Sequence, residues 1–201
     1  MDKKDILSNF FISKDNEAIF QEYVGRLQDY NSHTNIVGKS TLINPWSSHI
    51  LDCIQILPFI QNKKFSILDM GTGAGLPGIV LYIAGCNNVT LIDSNGKKIN
   101  FIKLIQKKMN LNINIILGRL EKLNNLKFDI ITSRALANLD KLLSYSQKFM
   151  KKSTVLIFLK GKTVNEELKE AQKKWTFRFQ QHKSISDSRG AILIIKNLKK
   201  K

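Results

Sequence analysis

The chain has 201 residues, 43% of them apolar, and 32 Lys and Arg against 16 Asp and Glu give a formal net charge of +16. That length suits one domain, or one domain with a short extension, and it can bury a core that needs no disulfide or zinc. The composition excludes a disordered or fibrous chain, and the longest apolar runs, Ile79–Cys86 and Val155–Leu159, fall far short of the roughly 18 residues of a membrane span.

In chain order, Met1-Asp2-Lys3-Lys4-Asp5 carries acids where a secretory signal has bases and then an apolar stretch, so a cytoplasmic protein is expected. Residues 1–64 read as a helical extension. Ile19, Phe20, Tyr23, Val24, Leu27 and Tyr30 recur at helix spacing, with Ser13 or Asp15 as cap. A polar loop, Asn31–Thr41, precedes a second helix from about Ser47 to Ile60.

From residue 65 the pattern changes. Short β-rich runs at Ser66–Met70, Val89–Asp93, Ile113–Leu117, Asp129–Ser133 and Val155–Leu159 alternate with helical stretches at Pro77–Ala84, Gly96–Asn110, Leu139–Met150 and Val164–Trp175. Such alternation predicts βαβ units with helices on both faces of a parallel sheet. Trp175, Phe177 and Phe179 then alternate with polar residues, Ser186–Gly190 supplies a turn, and Ala191–Lys196 is apolar, which predicts an antiparallel hairpin. The expected fold is α/β: a Rossmann-like class I methyltransferase core over 65–201, with a seven-stranded, mostly parallel sheet ending in that hairpin. Cys53 and Cys86 have no paired spacing and no Cys/His cluster around them, so they are expected to be buried thiols, and no metal site is expected.

The strongest local signal is Asp69-Met70-Gly71-Thr72-Gly73-Ala74-Gly75-Leu76-Pro77-Gly78, an apolar strand ending at a glycine-rich turn before a helix. Glycine there permits positive φ and lets a ligand pack on bare main chain, and a helix start offers N–H groups to an anion. A plain tight turn is the competing explanation. Asp93 ends the next strand, twenty residues beyond Gly73, where a carboxylate can accept from both ribose hydroxyls of an adenosine. Gly73–Gly78 also spells GxGxxG, so an NAD(P)-dependent oxidoreductase is an alternative, as is a non-catalytic RNA-binding or ribosome-assembly module. The oxidoreductase reading lacks a substrate domain, and the net charge calls for a polyanion. Lys supplies 27 of the 32 basic residues, so part of that charge can reflect genome composition.

The glycine run resembles the cofactor loop of the bacterial 16S ribosomal RNA guanine-N7 methyltransferases, the RsmG/GidB family. His49-Ile50-Leu51-Asp52, Leu91-Ile92-Asp93-Ser94 with Gly96-Lys97-Lys98, Ser133-Arg134-Ala135 and Leu159-Lys160-Gly161 resemble further motifs of that family in the same order. Thr34-Asn35-Ile36-Val37 keeps its N-terminal motif only in part, and Arg189 matches its Arg before the last strand with altered spacing. The resemblance implies S-adenosylmethionine as cofactor, with contacts at Gly71, Leu76, Leu120, Glu121 and Arg134, beside Gly73 and Asp93 from the residues themselves. It implies 16S rRNA as partner, free or in the 30S subunit or an assembly intermediate, and a monomer is expected. Guanine N7 has an in-plane lone pair and no proton, so no general base is required and alignment carries the chemistry. Ser133, Arg134, Asn138, Lys160 and Arg189 are candidates near the acceptor, Arg134 and Lys160 foremost for substrate placement. Lys97, Lys98 and Arg189 are the expected RNA contacts, within a wider set in which Lys97, Lys98, Lys103, Lys107 and Lys108 line one helix and Lys141, Lys148, Lys151 and Lys152 another.

Overall fold

The computed structural model describes residues 3–201. Its elements are α1 (Lys3–Asn9), α2 (Lys14–His33), a 3-10 turn (Lys39–Leu42), a π-helical turn (Trp46–Leu51), α3 (Asp52–Ile54), a 3-10 turn (Leu57–Phe59), β1 (Ile67–Met70), α4 (Gly78–Ile83), β2 (Val89–Asp93), α5 (Gly96–Lys108), β3 (Asn114–Leu117), a 3-10 turn (Leu120–Lys122), β4 (Phe128–Arg134), α6 (Leu139–Gln147), β5 (Met150–Lys160), α7 (Val164–Lys174), β6 (Trp175–Lys183) and β7 (Ala191–Lys200). The seven strands form one sheet in the order β3-β2-β1-β4-β5-β7-β6. The first five pair in parallel, and β7 pairs antiparallel with both β5 and β6. The order reverses beside β1, and in open α/β sheets ligands sit at that switch point, over the carboxyl ends of the strands.

Each face of the sheet buries its own apolar cluster. On one side α2 contributes Phe20, Tyr23, Val24 and Leu27, packed with Ile79 and Val80 of α4 and Phe101 and Ile102 of α5. On the other, Leu139, Leu142 and Leu143 of α6 and Leu168 and Ala171 of α7 cover Leu68, Ile131, Leu156 and Leu193. The helices before residue 65 thus complete a core that the sheet cannot close alone. Ser13 caps α2 as expected, accepting from the Asn16 N–H at 3.2 Å.

Three local expectations are corrected. The helix expected over 47–60 is broken: a π-helical turn gives way to one turn of α-helix, and Pro58 stands in the following 3-10 turn. Proline lacks the N–H an α-helix needs, and it disfavours helical backbone at the residue before it. Strand β5 starts at Met150, five residues early, because Thr154 ties a bulge opposite Phe128: its hydroxyl donates to the Phe128 carbonyl at 2.6 Å and accepts from the Lys151 N–H at 2.7 Å. Lys151 and Lys152 therefore lie on that strand and not on a helix with Lys141. Among the described residues no helix is long and apolar enough to cross a membrane.

Candidate active site

The site begins at Asp69, fully buried at the end of β1. Its Oδ2 accepts from the Gly78 N–H at 2.9 Å and from the Thr72 hydroxyl, closing the glycine loop like a clasp. The anion at the start of α4 is thus the chain's own carboxylate, and the Gly78 and Ile79 N–H groups there are already bonded, the second to the Gly75 carbonyl at 2.7 Å. Burial pushes the Asp69 carboxyl up to about 6, against the lowering effect of those two hydrogen bonds. Gly71, Gly73 and Gly75 have φ of +64°, +61° and +94°. From the other side Tyr23 of α2 donates its buried hydroxyl to the Ala74 carbonyl at 2.9 Å, so α2 buttresses the loop.

Asp93 sits where the spacing placed it, at the tip of β2. Its Oδ2 accepts from the Gly73 N–H at 2.9 Å and its Oδ1 from the Asn95 N–H at 2.8 Å. Each oxygen keeps a further lone pair, which suits the two hydroxyls of a ribose. A cavity of about 110 Å³ adjoins it, lined by Gly71, Asp93, Gly118, Leu120, Glu121, Leu136 and Tyr145. There the Tyr145 hydroxyl donates to Glu121 Oε1 at 2.9 Å, and a bond from Glu121's own backbone N–H, with this one second, holds the Glu121 carboxyl below its usual range.

A second, larger chamber of about 850 Å³ opens on the other side of Gly71. The loop from Gly71 to Leu76 forms one part of its lining, Lys98, Arg134 and Ala135 another, and the segments 36–52 and 186–189 the rest. Arg134, at the end of β4, donates from Nη1 to the Ser48 carbonyl at 3.1 Å and to Asp52 Oδ2 at 3.0 Å. Its Nη2 lies 3.3 Å from His49 Nδ1, and Thr41 Oγ1 lies 2.9 Å from His49 Nε2. Arginine can only donate, so Nδ1 is the acceptor and the His49 proton sits on Nε2, directed at Thr41. Burial and the Arg134 charge together lower the His49 pKa to about 4, which keeps the ring neutral. Three of the five guanidinium donors are committed to the fold, and the rest remain for a ligand.

The β6–β7 turn is fastened over this network. Gln55 Oε1 accepts from the Ile185 N–H at 2.9 Å, its amide donates to Ser184 Oγ at 3.0 Å, and the Ser186 hydroxyl donates to Asp52 Oδ1 at 2.6 Å. Arg189 lines the chamber but pairs with Asp187 at 2.9 Å.

Of the expected residues, Gly71, Gly73, Leu76, Lys98, Arg134 and Arg189 share the large chamber, and Asp93, Leu120 and Glu121 share the small one with Gly71. Lys97 is exposed on the first turn of α5, next to Lys98. Lys160 is corrected. Its ammonium is buried in an ion pair with Glu167 at 2.6 Å and donates to the Ala137 carbonyl, outside both cavities. Asn138 caps α6, and Ser133 is buried with its hydroxyl on the Met70 carbonyl, so neither faces the chamber. Sequence reasoning missed Tyr23, Gln55, Tyr145 and Asp187. Asp52 stood inside a quoted motif, but nothing in the sequence pairs Gln55 with a turn 130 residues away.

The model of the GidB family, rRNA small subunit methyltransferase G, matches residues 16–195. Ribosomal RNA small subunit methyltransferase G of Orientia tsutsugamushi (strain Ikeda) is 40% identical over 188 residues, covering 94% of this chain and 94% of that protein. The protein of the same name from Rickettsia prowazekii (strain Madrid E) is 38% identical over 182 residues, 90% of this chain and 93% of that one. Among solved structures, ribosomal protein L11 methylase from Lactobacillus delbrueckii subsp. bulgaricus superposes with a TM-score of 0.61 at 18% identity, covering 73% of this chain and 76% of that one. M. jannaschii TYW2 in complex with AdoMet superposes at 0.55 and 18% identity, covering 73% and 74%. The structural likenesses establish the methyltransferase fold, and the family match with the identity of the full-length relatives establishes the lineage: the chain belongs to the rRNA small subunit methyltransferase G family.

Proposed function

We propose that this protein transfers a methyl group from S-adenosylmethionine to N7 of a guanine in 16S ribosomal RNA. The observation that carries the reading is the pair of cavities meeting at Gly71, one small and flanked by Asp93 and Glu121, the other large and lined by Lys98, Arg134 and Arg189 beside Asp52 and Asp187. The donor set fits the cofactor. A Cβ at Gly73 would meet nothing nearer than Lys98 Nζ at 3.9 Å, so this stretch of main chain is bare toward the chamber. Asp93 would hold the ribose, Leu120 and Glu121 the adenine, and the uncommitted N–H groups of Arg134 the carboxylate. When bound, S-adenosylmethionine supplies an electrophilic methyl on a sulfonium.

The residues of the chain then have one task, to hold guanine N7 in line with that methyl. No side chain need take a proton, because N7 attacks with a free lone pair. His49 and Asp52 act through Arg134, fixing its guanidinium plane. Lys97, Lys98 and Arg189 border the path a polyanion would follow, and their contacts with phosphates make binding salt-dependent. A cytoplasmic enzyme acting on the small subunit or its precursors follows from that substrate.

Borohydride reduction followed by aniline cleavage cuts RNA at N7-methylguanosine. After incubation of unmodified small-subunit particles with the enzyme and cofactor, primer extension is expected to stop at one guanine. Methyl incorporation with no such stop would defeat the proposal.

A further inference from the structure

A guanine whose N7 faces the methyl turns its opposite edge away from the glycine loop. That edge carries two donors, N1–H and N2–H2, and only an acceptor complements it. Among the described residues two carboxylates line the chamber, Asp52 and Asp187. Asp52 is committed: Oδ2 accepts from Arg134 at 3.0 Å, Oδ1 from Ser186 at 2.6 Å and from Gln55 at 3.2 Å. His49 is committed through both ring nitrogens. Asp187 differs. Its carboxylate bonds only within its own turn, to the Arg189 N–H and guanidinium at 2.9–3.0 Å, and the side chain is 48% exposed.

The turn that carries it is anchored by Gln55 and Asp52 to the same segment that fixes Arg134. The position of Asp187 is therefore referenced to the cofactor end of the chamber. The Arg189 partnership holds the Asp187 carboxyl down at about 2 in the unbound protein, and an exposed carboxylate released from it still ionises well below neutrality, so Asp187 is an acceptor with or without Arg189.

Resting on the methyl-transfer reading above, we propose that Asp187 is the specificity-determining residue that accepts from N1–H and N2–H2 of the target guanine, while Arg189 turns from it to a phosphate. As the N7–carbon bond forms, the carbon–sulfur bond breaks and its electron pair goes to sulfur. The positive charge passes from sulfur to the purine, and no proton moves. A carboxylate on the N1–H edge gains attraction as that charge arrives, so Asp187 stabilises the transition state more than the bound substrate.

The test compares small-subunit particles reconstituted with RNA carrying guanine or inosine at the methylated position, since inosine lacks only the N2 amine. Single-turnover transfer by the wild type is expected to favour guanine by about 10-fold or more. In Asp187→Asn the rate on guanine is expected to fall by about 100-fold and the guanine-to-inosine ratio to approach one. Affinity for S-adenosylhomocysteine is expected to stay at the wild-type value, and the melting temperature to fall by no more than about 2–4 °C, the worth of one exposed ion pair. A variant that keeps the wild-type ratio overturns the assignment, as does one whose loss of rate is matched by loss of cofactor affinity. A wild type that methylates neither RNA overturns the functional reading itself.

Discussion

Gly73 and Gly78 lie five residues apart in one loop, yet alanine at each is expected to fail differently. A Cβ at Gly78 would stand 2.1 Å from Leu91 Cδ2 and 3.0 Å from Asp69 Oδ2. Both neighbours are fully buried and cannot retreat into solvent. Overpacking of this kind costs about 1–3 kcal/mol, and loosening the Asp69 bond to the Gly78 N–H adds about 1. Taking about 3 kcal/mol in all, and roughly 2–4 °C of melting temperature per kcal/mol for a chain of this size, Gly78→Ala should melt about 6–12 °C lower. Gly73→Ala meets open space, so its stability cost is the left-handed backbone alone, about 1–2 kcal/mol and a few degrees. Its methyl projects where the cofactor is expected, and affinity should fall at least about tenfold, equivalent to ~1.4 kcal/mol. Thermal denaturation followed by circular dichroism, with calorimetric titration of S-adenosylhomocysteine, separates the two. Undiminished affinity in Gly73→Ala, or a larger melting shift there than in Gly78→Ala, would show that the two glycines do not divide binding and packing in this way.

Tyr145→Phe removes the hydroxyl that orients Glu121 and should weaken S-adenosylhomocysteine binding by roughly three- to tenfold, the worth of one hydrogen bond, in the same titration. Lys160→Met breaks a pair whose side chains are 7% and 16% exposed, while Glu167 keeps its bond from the Leu139 N–H. It should cost about 2–3 kcal/mol in urea denaturation and leave cofactor affinity unchanged, whereas native stability with lost transfer would return Lys160 to the substrate. Reversing Lys97 and Lys98 to Glu should flatten the log K against log salt plot for RNA by a slope of about 2, read by filter binding. Stability between pH 7 and 5 is expected to be nearly flat, because two groups oppose each other. Asp69, raised to about 6, takes its proton more readily folded than unfolded and adds stability as pH falls, while His49, lowered to about 4, takes its proton more readily unfolded and removes it. Asp129 and Asp187, both near 2, lose their contributions only below the ordinary carboxylate range, outside this window. His49→Asn should therefore gain stability from pH 7 to 5 and Asp69→Asn should lose it, and the same sign in both would contradict the assignment.

The parallel half of the sheet was legible because each strand is a short apolar run with its own punctuation. Val89–Asp93 has the predicted bounds, and α5 begins at Gly96 as expected. The misreadings share one cause, tertiary bonds overriding local pattern. The polar start of β5 looks like a loop until Thr154 is seen stitching it to Phe128. The site divides the same way. Gly73 and Asp93 announce themselves by spacing, since backbone freedom and a strand-end acid are local properties. Arg134 was visible as a residue, but its geometry depends on Ser48, His49 and Asp52, far off in sequence. Lys160 misled because a lysine ending an apolar strand looks like a ligand when its counter-ion, Glu167, lies on the next helix. The small cavity needed Tyr145, whose position on α6 carries no sequence signal.

Whether this protein methylates guanine N7 is decided by mass-spectrometric mapping of methylated nucleosides in small-subunit particles that lack the modification, after incubation with the protein and S-adenosylmethionine. N7-methylguanosine at a single site in 16S rRNA, dependent on Arg134 and absent when NADH replaces S-adenosylmethionine, is the predicted result. Methyl groups confined to cytosine C5 or adenine N6, where a thiolate or an amine-binding motif would be required, would contradict it.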